Sequence, residues 1–290
     1  DRTETFPGGA ANAAANIAAL GRVSVAVGII GTDPSGAELA NELAALGVET
    51  GSMLVSPEYS TITKTRVLAG RSTSSRQQVL RIDNEDRTGP SPQDRTVLRE
   101  KAIAAASASD AIIVSDYGYG AADPELYSAV LTIAKGRSIP IVVDSRYRLA
   151  EFRGATAATP NLEEAEAIFG SGFEPSAADS LREQLDYRAL LITRGGNGML
   201  LSELGRPVTH IPVIGSTEPV DVTGAGDTVI AVFAMALTAG FDFHQAANIA
   251  NHAGGIVVMK RGTATVSLEE LAESLAMEVR SVSAAADESL

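Results

Sequence analysis

Cysteine is missing from all 290 residues, and histidine occurs only three times. Without thiols the chain has neither disulfides nor thiolate chemistry, and a structural zinc site lacks its usual ligands. The absence fits a reducing compartment, so a cytoplasmic location is the expectation. Positive charge is also short: 23 Lys+Arg stand against 36 Asp+Glu, a net charge of -13. That balance argues against a nucleic-acid or membrane-surface partner. No apolar run is long enough to span a bilayer, and no signal-like segment is seen. The first residue is Asp1 rather than Met, so the natural start of translation is expected upstream. What is present, 45% hydrophobic and 20% charged residues, is the mixture of a globular protein large enough for one α/β domain or two small ones.

The pattern along the chain favours one domain, residues 1–290. Gly8-Gly9 leads through Asn12 into an Ala-rich helix, Ala13–Leu20, closed by Gly21. Val23–Ile30 is nearly all apolar and reads as a strand buried on both sides. Pro34 opens a helix that runs to Leu46 and stops at Gly47. From Val48 to Asp83 the texture changes to alternating β-leaning pieces, Ser60–Leu68 and Gln77–Ile82, joined by a polar tip at Gly70–Arg76. This predicts an antiparallel flap inserted at roughly 48–83. Helices and strands then alternate: helix Pro92–Ala106, strand Ala111–Ser115, helix Pro124–Lys135, strand Pro140–Asp144, strand Thr156–Ala158, helix Leu162–Phe169, helix Ala177–Leu185, strand Ala189–Thr193. Such alternation means a mostly parallel sheet with helices on both faces. Met199–Ser202 and Val208–Pro212 read as hairpin strands. Helices Val229–Ala239, Phe243–Met259 and Ser267–Val279 follow, with Ser281–Leu290 expected to fray. Ligands of open α/β sheets sit beyond the strand C-termini, and Asp116, Asp144, Asn161 and Thr193 all fall at such ends.

Asp221-Val222-Thr223-Gly224-Ala225-Gly226-Asp227-Thr228 precedes the apolar run Val229–Ala239. Two glycines flanking Ala225 let backbone N–H groups approach a ligand, and at a helix start those groups and the dipole favour an anion. Asp227 in or just before the first turn is either a capping residue or a base for an attacking hydroxyl beside that anion.

Four segments occur in the order and spacing of the ribokinase-like (PfkB) sugar kinases, which the chain therefore resembles over nearly its whole length. They are Gly8-Gly9 with Asn12, Asn161-Leu162-Glu163-Glu164, Thr193-Arg194-Gly195-Gly196, and the Asp221–Asp227 stretch. Within that family it is most similar to the kinase domain of bacterial bifunctional heptose-7-phosphate kinase/adenylyltransferases. The carriers are Pro7–Asn12, Thr61–Val67, Ser115-Asp116-Tyr117, Phe152–Thr156, Thr159–Leu162 and Asp221–Ile230.

The resemblance implies an ATP-dependent kinase that acts on a sugar or sugar phosphate, with heptose 7-phosphate as the named candidate. It makes Asp227 the base and the amides of Gly224, Ala225 and Gly226 the cradle for the transferring phosphoryl group. Gly8, Gly9 and Asn12 would bind sugar hydroxyls. Lys64, Arg66 and Arg81 on the flap would meet a substrate phosphate, or else are merely solvated. Asp116 and Arg146, at strand ends, would face substrate or ATP, although relatives tend to carry Lys at the position of Arg146. Asn161 and Glu164 would organise Mg²⁺ through water, the plainer alternative being a capping pair. Thr193, Gly195, Gly196 and Gly198 would approach ATP, or form a simple hairpin turn. Asn251 would line the adenine pocket, or lie on the wet side of a helix. Asp221 and the loop at Gly262 correspond to a region where K⁺ binds in many relatives.

The resemblance also implies a first strand with a sugar-gripping Asp, absent ahead of Pro7; a fragment or a further N-terminus is the expectation. A sheet without that strand would carry open edges, and pairing of the flap in a homodimer is expected. No His-x-Gly-His segment of an adenylyltransferase occurs, so only kinase chemistry is implied. The alternatives are another PfkB-type kinase (ribose, fructose or fructose phosphate), a catalytically silent sugar- or nucleotide-binding protein, and a dinucleotide oxidoreductase. The last lacks a Gly-x-Gly-x-x-Gly after an early strand.

Overall fold

The computed structural model describes residues 3–69, 77–85, 88–170, 173–215 and 218–287. The chain begins with α1 (Ala10–Ala19), β1 (Ser24–Val25), β2 (Ile29–Gly31), α2 (Pro34–Ala45), β3 (Val48–Glu49) and β4 (Leu54–Ser56). A flap of two antiparallel strands follows, β5 (Thr63–Ala69) and β6 (Gln77–Asn84); its expected tip, 70–76, lies outside the described residues. The alternating part is α3 (Pro92–Ala108), β7 (Ile112–Asp116), α4 (Pro124–Arg137), β8 (Ile141–Ser145), β9 (Ala157–Ala158), α5 (Leu162–Phe169), α6 (Ala177–Gln184) and β10 (Ala189–Thr193). The hairpin β11 (Met199–Glu203) and β12 (Thr209–Ile211) leads to α7 (Ala225–Thr238), α8 (Phe243–Val257) and α9 (Leu268–Asp287).

Six strands form the main sheet in the order β12-β11-β10-β9-β8-β7, parallel from β10 to β7 and antiparallel at β11 and β12. Side chains alternate across a strand, and that alternation divides the core. Val142, Ala157 and Leu191 face α1, α7, α8 and α9, whereas Ile141, Val143, Ala158, Leu190 and Ile192 face α3, α4, α5 and α6. The expected α/β architecture, a mostly parallel sheet covered on both faces with a small antiparallel flap, is what the chain adopts.

Helix ends follow their capping chemistry. Asp33, Ser91 and Asp123 each accept an amide of the first turn ahead of a Pro at the helix start. The α9 helix runs through 287, past the point where fraying was expected, and α1 starts three residues earlier than the periodicity indicated.

The expectation for Val23–Ile30 needs correction. The run is two short strands, and Val23 is 74% exposed. Its partner segment turns at 50–53, where the Met53 amide donates to the Thr50 carbonyl, so the parallel ladder breaks into β1–β3 and β2–β4. Neither pair joins the main sheet. The free edge of β7 and the 23–30 segment instead line one continuous cleft of about 4080 Å³ that reaches to the mouth of α7. β3 and β4 thus belong with β1 and β2, and the antiparallel flap itself is 63–84.

The β8–β9 connection is pinned at Phe152, which is fully buried. Its ring meets that of Tyr127 edge-on at 5.1 Å. The hydroxyls of Tyr127 and Tyr187 both donate to its carbonyl, at 2.8 and 2.7 Å. Phe152→Ala is expected to lower stability by about 3–5 kcal/mol through the cavity it leaves. Urea unfolding of the full chain measures this, and a loss below about 1 kcal/mol would contradict the packing role.

Candidate active site

The mouth of α7 is built by backbone geometry first. Gly224 caps the helix in the left-handed region, φ 80°, and a Cβ there would overlap the Asn12 side chain. The α7 helix opens at Ala225, so Asp227 stands in its first turn, 4% exposed. The Ala225 amide donates to the Val222 carbonyl at 3.3 Å. The Gly226 amide has no protein acceptor among the described residues, and it points from the positive end of the helix dipole.

Both oxygens of Asp227 are engaged. Asn12 Nδ2 donates to Oδ2 at 3.1 Å and to the Gly224 carbonyl at 3.2 Å. The Tyr117 hydroxyl donates to Oδ1 at 2.8 Å. Asn12 is itself held by Asn16 Nδ2, which donates to its carbonyl and side-chain oxygens at 3.0 and 3.3 Å, and the Val266 amide donates to Asn16 Oδ1. Burial pushes the Asp227 carboxyl up to about 6, with the Asn12 and Tyr117 hydrogen bonds opposing the rise. The Tyr117 phenol is held well above its ordinary value by burial and by the negative charges of Asp227 and Asp144, so it stays a donor.

Parallel register brings the strand ends to one rim: Asp116 lies opposite Ser145 and Ser115 opposite Asp144, while Asn161 bridges to Thr193. Asp144 is pushed well above the usual carboxylate range by burial and by Glu164, Asp227 and Asp116 in turn. Asp144 thus lies within electrostatic reach of Glu164, Asp227 and Asp116. Asn161 and Glu164 form a reciprocal capping box: Asn161 Oδ1 accepts the Glu164 amide and a Glu164 oxygen accepts the Asn161 amide, each at 2.9 Å. Burial raises the Glu164 carboxyl despite those bonds and the nearby Arg146 charge.

The other residues singled out in the sequence have these places. Gly8 and Gly9 line the cleft, with Gly9 at φ 55° against the Tyr117 ring. Asp116 is 3% exposed and turned inward, accepting from Ser145 Oγ at 2.7 Å and from two Arg148 nitrogens at 2.6 and 3.2 Å. Lys64 pairs with Glu85 at 3.5 Å and lies over the Tyr119 ring. Arg81 is bound to Asp83 by two bonds of 2.7 Å. Arg66 lines the cleft, makes no ion pair among the described residues, and contributes to lowering the Asp221 pKa. Burial acts to raise the Asp221 carboxyl, but the Thr223 and Gly262 amides, each at 2.9 Å, hold it below the ordinary range.

Thr193 pairs with Met199 across the β10–β11 hairpin, and its amide donates to the Pro160 carbonyl at 2.9 Å. Gly195 and Gly196 face open space, and Gly198, φ 73°, sits where a Cβ would overlap the Ile211 carbonyl. Asn251 is 3% exposed and donates to the Pro212 carbonyl at 2.7 Å, on the buried side of α8. The structure therefore brings Gly8, Gly9, Asn12, Gly224, Gly226 and Asp227 together, with Asn161, Glu164 and Thr193 on the adjoining rim. Lys64, Arg66 and Asp221 border the cleft, and Asn251 stands apart behind the 212–215 loop.

Residues 1–271 match the model of the pfkB family carbohydrate kinases. The chain belongs to that family. Curated relatives place it further: it is 42% identical over 281 residues to bifunctional protein HldE of Geobacter sulfurreducens, covering 94% of this chain and 56% of that protein. The corresponding protein of Aeromonas salmonicida is 41% identical over 280 residues, covering 95% and 57%. The chain thus spans a little over half the length of these relatives. Among solved structures, Arabidopsis thaliana ribokinase complexed with ribose and ATP superposes with a TM-score of 0.71 at 20% identity, over 91% of this chain and 86% of that one. Phosphofructokinase-2 of Escherichia coli in complex with potassium gives 0.74 at 16%, over 92% and 85%. The pfkB membership and the likeness to bifunctional enzymes are as the motifs led us to expect.

Sequence reasoning gave Tyr117, Asp144 and Arg148 no role at this pfkB site. Asp144 was visible as a strand-end carboxylate, and Tyr117 stood inside one of the family-like segments. Arg148 carried no signal, because its link to Asp116 is a loop folding back on a strand.

Proposed function

We propose that this chain transfers the terminal phosphoryl group of ATP to a hydroxyl of a phosphorylated sugar. The observation that supports it most is a carboxylate buried at the first turn of α7, bordering the cleft, next to an amide with no protein acceptor among the described residues. In this reading Asp227 accepts the hydroxyl proton, while the Gly224–Gly226 backbone faces the spreading negative charge. Gly8 and Gly9 meet the sugar, and Thr193, Gly195, Gly196 and Gly198 meet ATP. Asn251 shapes the adenine side through the 212–215 loop.

Among the described residues no three His, Asp or Glu side chains are grouped to hold a metal. Mg²⁺ keeps water and phosphate oxygens and needs few carboxylates. Glu164 and Asn161 would hold it through water, close to the crowded Asp144, and it would neutralise charge on the phosphates. The loop of Asp221 and Gly262 would take K⁺.

Arg66, facing the cleft without an ion pair among the described residues, favours an acceptor that carries its own phosphate, and we infer heptose 7-phosphate converted to the 1,7-bisphosphate. The flap exposes Val67, Leu68, Val79, Leu80 and Ile82 at 41–61%, apolar surface that a two-stranded sheet cannot cover alone. We infer a homodimer through it, in the cytoplasm.

Asp227→Asn is expected to fold like the parent and to lose turnover by about 10²–10⁴-fold with ATP and heptose 7-phosphate. Near-parental turnover would refute the base assignment. In the parent, kcat/KM should fall as pH drops through about 6, because protonation removes the base; a flat profile from pH 8 to 5 would contradict it. Arg66→Ala should raise KM for the sugar phosphate roughly tenfold or more while leaving KM for ATP unchanged. Equal effects on both would show that Arg66 does not meet the acceptor phosphate. Sedimentation of the full chain should give a dimer, and Leu80→Asp a monomer; a parent that sediments as a monomer ends the flap proposal.

A further inference from the structure

Tyr117 occupies a position that no part of the phosphoryl-transfer chemistry requires. It follows the C-terminal end of β7, and its neighbour Asp116 is clamped by Ser145 and Arg148. The Gly118 amide also donates to Asp116 Oδ1, at 3.1 Å. The backbone on either side of the tyrosine is thereby fixed from within the protein.

The ring has a prepared seat. A Cβ on Gly9 would lie 2.9 Å from Tyr117 Cε2, and Gly9 sits at φ 55°. A side chain at residue 9 would therefore be strained by its backbone and would displace the ring. From this seat the hydroxyl reaches Asp227 Oδ1 at 2.8 Å. Asn12 holds the other oxygen from α1, so the carboxylate is gripped from two separate elements. A carboxylate oxygen has room for a further partner, which leaves Asp227 able to accept from a substrate while its rotamer is locked.

We propose that Tyr117 is a positioning residue for Asp227: its hydroxyl holds the carboxylate in the orientation in which it borders the cleft. This rests on the reading of Asp227 as the base. Other charged groups around the pair are Asp144 on β8, Asp116 on β7 with its partner Arg148, and Glu164 on α5 with Arg146 nearby. Those that act on Tyr117 itself are Asp227, Asp144 and Glu164, all carboxylates, which makes a neutral donor the apt partner. Tyr117 supplies one because burial and the negative charges of Asp227 and Asp144 keep its proton on across the working range. Removing the hydroxyl takes away a hydrogen bond made to the charged form and frees the rotamer.

The test compares the parent with Tyr117→Phe, which keeps the ring on Gly9, using the full chain labelled with ¹³C at the aspartate carboxyls and no ligand. Asp227→Asn and Asp144→Asn identify the two raised resonances. In Tyr117→Phe the Asp227 titration should move up by about one pH unit. In ADP release from ATP with heptose 7-phosphate, the acid limb of kcat/KM should move with it, and kcat should fall on the order of tenfold to a hundredfold at unchanged KM for ATP. Gly9→Ala should move the carboxyl titration the same way. An Asp227 resonance that titrates as in the parent overturns the positioning role, whatever happens to turnover. Undiminished turnover in Asp227→Asn sinks the base assignment and the positioning role together. Lost turnover there, with an unmoved titration in Tyr117→Phe, sinks the positioning role alone.

Discussion

Burying a carboxylate is unfavourable unless hydrogen bonds compensate, and at Asp227 the compensation comes from two distant parts of the chain. Asn12 arrives on the first turn of α1 and Tyr117 on the loop after β7, separated from Asp227 by 215 and 110 positions. Each donor is itself secured: Asn12 through Asn16 to the Val266 amide, Tyr117 through the clamp on Asp116. The strand order of the main sheet and the seating of α1 on α7 are what let both donors reach one side chain. Displace either element and the buried charge keeps only one of its two donors, a loss of about 1–3 kcal/mol.

The same constraint explains why small residues crowd this corner. Gly224 must be glycine because Asn12 occupies the space of its Cβ, and Gly9 because Tyr117 does. Two glycines that suggest backbone approach to a ligand are thus also demanded by the protein's own packing. The Gly226 amide is different, since among the described residues no protein group claims it or the space beside it.

Much of this was legible in the sequence where a signal is local. The alternation of helix and strand gave the sheet, and the Gly-Ala-Gly-Asp stretch before an apolar run gave the mouth of α7. The Asn161/Glu164 pair shows how one pattern serves two readings, for its capping box is complete while Glu164 still faces the rim. What stayed hidden depends on contacts between distant segments. Asn12 reads as a ligand-facing polar residue, yet it is 1% exposed and turned to Asp227. Asp116 reads as a rim carboxylate, yet Arg148 and Ser145 take both its oxygens. The split of Val23–Ile30 was also unreadable, because the turn that breaks its ladder lies in the partner segment.

The account is tested most directly by a crystal structure of the chain with a non-hydrolysable ATP analogue, Mg²⁺ and heptose 7-phosphate together. It expects an acceptor hydroxyl within about 2.6–3.2 Å of an Asp227 oxygen, with the terminal phosphate over the Gly226 amide and Tyr117 still on Oδ1. An acceptor bound with its hydroxyls turned away from Asp227, or a terminal phosphate held elsewhere than the mouth of α7, would contradict it.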